Sequence, residues 1–488
     1  MRVFEKLKKQ YLKTRWYQQG AAALPYTISH PWKICFAFTL NFKPIRVHYR
    51  GLVGYWRSGF VHVFFPYQTL ERIADFYTQK AIFVGTNKRY KNWLQKAKKF
   101  REVIKSTEVK DFSKLTNQQL INIFFKFSKQ YAIPLAECIF HDAFDALGAA
   151  IFAKILKQNK ILLTDNQIRV LLTANQLSWL QQERLDLARL AVESKTISKS
   201  ALYKKLEIHA KNYHWIYNDY AVVRNLAPLD FLKRLQELRK NQILLNQALQ
   251  EFSSAFKGRK QKLTLIRKLK ISTGVVKFAE FLSVIALWRD QRKTYNQMAN
   301  ALLNKFNKEF ARRKNIPVKH IEYLYWWELK DVFSLPKSTI HDLYKKRSGG
   351  VFLYGNPSKN EELYGKRAKE LFRLIVASMV ADKDVKGQAT YPGVVQGRIK
   401  IVRTQQEFKK MKKGDILLAP NTRPEYVPIM KLAAAILSEE GGITTHSAIV
   451  SRELRIPCIV GVQGAIARFK DGDIVEVDAN KGIVRKLK

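Results

Sequence analysis

Cysteine is scarce in this chain. Cys35, Cys138 and Cys458 stand far apart with no paired spacing. That excludes a disulfide framework or a cysteine-based zinc site and points to a reducing compartment. Long apolar runs are missing too. The longest near the N-terminus, around Ile34–Leu40, is too short to cross a bilayer, and Met1–Lys9 lacks a secretory core, so a cytoplasmic location is expected. Acidic residues are in deficit, 40 against 87 Lys and Arg, for a formal net charge of +47. There is no Gly-x-x-x-x-Gly-Lys-Ser/Thr loop, no glycine-rich hairpin of the kind that grips a triphosphate, and no carboxylate cluster suited to magnesium. Neither a bound cofactor nor a metal site is expected on this chain.

What is present argues for folded domains. Hydrophobic residues make up 47% and aromatics 12%, too much for disorder. Few glycines or prolines interrupt residues 91–346, where helical periodicity predicts helices near 134–157, 175–193, 198–219, 228–251, 276–312 and 320–333. Thr116 with Gln119 reads as a capping box ahead of the apolar run from Leu120. Residues 44–51 and 59–65 read as strands, with His48 and His62 as packing or solvated positions. Turn-rich pieces around Ser348–Gly350 and Tyr354–Ser358 mark a junction. From Gln388 onward there are seventeen basic and ten acidic residues, leaving seventy against thirty in the rest. The positive excess therefore belongs to the N-terminal part, where it favours polyanionic partners.

The most informative segment is Gly441-Gly442-Ile443-Thr444-Thr445-His446-Ser447-Ala448-Ile449-Val450-Ser451-Arg452-Glu453-Leu454, followed by Ile456-Pro457-Cys458. Ala433–Leu437 before it reads as a buried strand. The 447–454 stretch has helical spacing, and Pro457 stops the helix. A strand, a glycine turn and a helix start set free backbone amides and the positive helix end around His446. A lone histidine after two glycines is ordinarily just a turn residue. The whole run is more specific, and resembles the phosphohistidine (swivelling) domain of the phosphoenolpyruvate-utilising enzymes, whose motif reads Gly-Gly-x-Thr-x-His-Ala-Ala-Ile-x-x-Arg-Glu-Leu-Gly-Ile-Pro. Ser447 stands where that motif has alanine, and Arg455 where it has glycine. The resemblance extends over Tyr391–Ile399, Thr422–Met430 and Phe469–Val484.

The resemblance implies that His446 is a phosphoryl carrier and that Gly441, Gly442, Thr444, Thr445, Ser447 and Arg452 hold the phosphoryl oxygens. The family's ATP-grasp and phosphoenolpyruvate-binding barrel modules are not recognisable elsewhere in the chain. The donor, ATP with Mg or phosphoenolpyruvate, is therefore expected on a separate chain, and a small-molecule acceptor is expected against the helical region. The expected fold is multidomain α+β: a mixed region at 1–90, an irregular helical domain at 91–346, a hinge or linker at 347–387 and a β/α swivelling phosphohistidine domain at 388–488. Weaker likeness in the helical part touches His214, Asp219, Arg289, Asp290, Arg292 and Glu328 as ligand contacts, and for Arg289, Asp290 and Arg292 interhelical salt bridges are at least as good a reading. The alternative function is a scaffold that keeps the fold while its basic surface binds nucleic acid.

Overall fold

A computed structural model describes residues 2–23, 53–57, 60–83, 85–138, 140–173, 176–218, 223–356, 359–379, 384–422, 424–442 and 445–487. The strand expected at 44–51, with His48, lies outside these residues. Among the described residues, two sheets flank a large helical body. The first has five strands: β1 (Trp16–Ala23), β2 (Val53–Arg57), β3 (Phe60–Pro66), β4 (Val351–Asn356) and β5 (Lys359–Tyr364), in the order β1-β3-β2-β4-β5. All its pairings are antiparallel. Alternation sorts its side chains: Val61, Val63 and Phe65 join the main helical core, while Val53, Tyr55 and Phe64 face a smaller core under helix Gly365–Met379.

This corrects the expectation of a linker at 347–387. Val351–Asn356 and Lys359–Tyr364 join the N-terminal sheet, and Ala368, Leu371 and Ile375 of the following helix are fully buried. Tyr354–Ser358 reads as a turn because turn residues cluster there, yet its flanks pair as a hairpin.

Between β3 and β4 lies the helical body. The capping box at Thr116 forms, with Gln119 reciprocating. The stretch expected as one helix at 228–251 is two, Pro228–Lys240 and Gln242–Lys268, because the Asn241 side chain caps the second by accepting from the Leu244 amide at 3.1 Å. The stretch expected at 320–333 breaks into short turns instead. A 42-residue helix, Thr273–Lys314, forms the spine. None of the described helices is long and apolar enough to cross a membrane.

The C-terminal domain is built on eight strands: β6 (Val385–Lys386), β7 (Gln388–Tyr391), β8 (Val394–Ile401), β9 (Ile416–Ala419), β10 (Ala435–Ser438), β11 (Cys458–Val460), β12 (Ile474–Asp478) and β13 (Ile483–Lys486). Their order is β6-β13-β12-β8-β9-β10-β11-β7, with β8 to β11 running parallel. Both faces of the centre are covered. Ile416, Leu418, Ala435 and Leu437 enter one core while Leu417, Ala419 and Ile436 enter the other, which is why β9 and β10 read as unbroken apolar runs.

Candidate functional site

In a parallel sheet, loops leaving the carboxyl ends of the strands form the natural crevice. Two such loops meet here. The one after β9 carries Pro420, Asn421 and Thr422. The one after β10 carries Glu439, Glu440 and the glycine pair before helix His446–Leu454. Gly442 has φ +110, a conformation open to glycine and strained for other residues. Its carbonyl accepts from the Thr445 amide at 3.2 Å and the Thr445 hydroxyl at 2.8 Å. That turn sets His446 as the first residue of the helix.

The imidazole is held by its Nδ1, which lies 2.8 Å from Thr422 Oγ1. Thr422 Oγ1 in turn lies 2.8 Å from Ser447 Oγ. Nε2 has no hydrogen-bond partner among the described residues. Burial lowers the His446 pKa to about 4, Lys293 lowers it further, and Glu440 opposes them. The ring is therefore neutral at pH 7, as a nitrogen nucleophile requires.

The helical body closes over this end of the C-terminal domain. Lys293 Nζ approaches Glu440 Oε1 to 3.9 Å, and a β-carbon at Gly441 or Gly442 would stand 3.7 Å from the Asp145 carbonyl oxygen. From the first sheet, the Gln18 amide donates to Gln463 Oε1 at 2.7 Å and its side chain reaches Glu439 Oε2 at 3.4 Å. Burial raises the Glu439 pKa to about 7, against the Ile466 amide and the Arg403 charge. Asp145, paired with Arg289, is likewise raised by burial to about 6.

The other residues expected around the phosphoryl group are placed as follows. Thr445 is buried, its hydroxyl engaged in the glycine turn. Ser447 is 0% exposed, its Oγ 2.8 Å from Thr422 Oγ1. Arg452 lies in the last turn of the helix, its Nε donating to the Thr390 carbonyl at 3.0 Å. Gly441 packs on Gly461. Thr444 lies outside the described residues. Of the expected cradle, Gly442 and the helix start remain beside His446.

In the helical body, Arg289 pairs with Asp145 and Arg292 with Asp142 at 3.6 Å. Glu328 takes Arg347 at 2.7 Å, His214 faces Glu108 at 3.4 Å, and Asp290 accepts from the Trp179 amide. These are structural pairs. Asp219 lies outside the described residues. Thr422, Lys293 and Glu440 were not singled out from sequence. Thr422 carried a signal inside the Thr422–Met430 segment, and Lys293 closes the Trp288–Lys293 stretch that the weaker likeness covers.

Residues 411–482 match the family model described as PEP-utilising enzyme, mobile domain. Phosphoenolpyruvate synthase of Aeropyrum pernix is 50% identical over 101 residues, 20% of this chain and 12% of that protein. Phosphoenolpyruvate synthase of Pyrococcus furiosus is 37% identical over 162 residues, 33% of this chain and 19% of that protein. An uncharacterized phosphotransferase of Bacillus subtilis, YvkC, is 35% identical over 129 residues, 26% of this chain and 15% of that protein. The chain thus covers less than a fifth of the length of each of these relatives.

Proposed function

We propose that this chain, through its PEP-utilising mobile domain, is a phosphocarrier. His446 takes a phosphoryl group from ATP or phosphoenolpyruvate bound by a separate chain, then passes it to an acceptor at the helical body. The observation that carries this reading is the histidine itself. Nδ1 is fixed on Thr422, Nε2 is unengaged among the described residues, and burial keeps the ring neutral.

In the first step the Nε2 lone pair attacks phosphorus while the ring proton stays on Nδ1, directed at Thr422. The P–O bond to the leaving group breaks, and its electron pair departs on that oxygen. The N–P bond forms, and the ring then releases the Nδ1 proton to solvent. The amides at the helix start and Gly442 face the new dianion, and Lys293 supplies a cation from the helical body. In the second step Nδ1 takes up a proton, an acceptor hydroxyl oxygen attacks phosphorus and gives up its own proton to solvent, the N–P bond breaks, and its pair returns to Nε2 of a neutral imidazole.

Protein isolated from its own cells and kept alkaline should carry a base-stable, acid-labile phosphate on the peptide containing His446, detectable by mass spectrometry. A His446→Ala variant should carry none. Equal phosphate on the variant, or phosphate confined to another residue, would refute the proposal.

A further inference from the structure

The N-terminal helix Arg2–Leu12 and helix Gly365–Met379 pack together on the face of the first sheet turned away from the helical body. Phe4, Leu7 and Tyr11 of one helix and Ala368, Leu371 and Ile375 of the other are buried there. The opposite side of the pair is basic. Lys6, Lys9, Lys366, Arg367 and Arg373 are exposed, and so is Lys13 in the turn that closes the first helix. Each helix holds one acid, Glu5 in the first and Glu370 in the second. Both acids lie on the same cation, Lys8, at 4.0 and 2.7 Å. The six exposed charges therefore have no carboxylate of this helix pair to offset them.

Lys6 and Lys13 are seven residues apart, as are Lys366 and Arg373, which is two helical turns or about 10 Å. The charges thus run in two neighbouring files, on helices of a kind that pack about 8–10 Å apart. A lipid surface is a poor match. A basic helix holds a bilayer by inserting its apolar side, and that side of Arg2–Leu12 is buried in the core. An unpaired strand is a poor match too, because neither helix exposes an aromatic ring on which bases could stack. Two files of cations suit the two phosphate rows that border the groove of a duplex. We propose that this face binds the backbone of a nucleic-acid duplex, DNA or RNA, without reading its sequence, since phosphate contacts position a protein and base contacts specify. Nothing in this surface depends on His446 or on phosphoryl transfer.

The full-length protein is titrated with mixed-sequence DNA and RNA duplexes of about 24 base pairs at several salt concentrations. With all six charges on phosphates, wild-type affinity for DNA should fall on the order of 1,000-fold between about 50 and 200 mM salt. Lys6→Gln, Lys9→Gln, Lys13→Gln and Arg373→Gln combined should make the log–log slope shallower by about 3–4, leaving a loss of roughly ten-fold over the same range. A control removes as much charge from exposed lysines elsewhere, Lys91→Gln, Lys98→Gln, Lys99→Gln and Lys204→Gln. Its slope should stay within about one of wild type. Equal losses in the two variants overturn the proposal, because they mean a diffuse charge and not this face. Tighter binding to the separated strands than to the duplex also overturns it. So does a wild type that does not bind duplex, whether or not it binds phosphatidylserine vesicles. If circular dichroism shows the combined variant unfolded, Lys9→Gln and Arg373→Gln alone carry the test, each expected to make the slope shallower by about one; unchanged slopes in both refute the assignment.

Discussion

A half-buried imidazole beside an ammonium group stays neutral at acidities that charge a free histidine. For His446 the folded-state pKa lies near 4 rather than 6.5, from burial first and Lys293 second. The nucleophile is therefore present throughout the neutral range and is lost only as pH falls through about 4. The Hε1 resonance of His446 should show no titration step between pH 8 and 5.5, and Lys293→Met should move its midpoint upward; a wild-type midpoint near 6.5 would contradict the burial described here. The histidine was legible in the sequence because its motif is contiguous. Its partners were less so. Thr422 precedes it by 24 residues, and Lys293 comes from the helical body, where it lies 3.9 Å from Glu440. A resemblance along the chain also cannot tell which hydroxyls of a motif turn to the protein, as those of Thr445, on the Gly442 carbonyl, and Ser447, beside Thr422, do.

At the level of elements, helix His446–Leu454 ends on Arg455 with φ +56 and ψ 43, the left-handed conformation that glycine adopts without a side-chain clash. Arg455→Gly should raise the unfolding free energy by roughly 0.5–1 kcal/mol, the relief of that clash less the added freedom of glycine in the unfolded chain. Denaturant melts of the full chain would measure it, and a destabilised variant would show that the arginine side chain contributes more than its backbone costs. Helices with strong local signals, such as the capping box at Thr116, were readable. The break at Asn241 was not, because a residue that caps one helix looks like an ordinary interior position of a longer one. Strands β4 and β5 escaped notice for a different reason: their partner β2 lies far back in the sequence, and local pattern does not record it.

Across the whole molecule, polar groups among the described residues join the C-terminal domain to the rest: Gln18 to Gln463 and Glu439, Lys293 to Glu440, and the Asp145 carbonyl against the glycine turn. Glu439 makes this seam respond to pH. Its folded pKa is raised, from 4.5 to about 7. The fold therefore holds a proton that the unfolded chain releases, so this group's contribution is full below pH 4.5 and is lost as pH rises through 7. Glu439→Gln keeps an acceptor for the Ile466 amide and removes the titration. Its melting temperature should match wild type near pH 5 and exceed it at pH 8; parallel curves for the two proteins would exclude this role.

The N-terminal sheet has a consequence for how the protein is made. Strand β2 lies between β3 and β4, yet its partner β4 emerges from the ribosome roughly 300 residues later, about 15–60 s at ordinary elongation rates. Throughout that interval β2 presents an open row of amides and carbonyls, while the helical body, assembled from contacts nearer in sequence, can already collapse beside it. A nascent chain broken off anywhere within the helices would leave that edge permanently bare. Transient shielding of Val53–Arg57 during translation, more than the helical packing that follows, then sets how much of the synthesised protein reaches its native state.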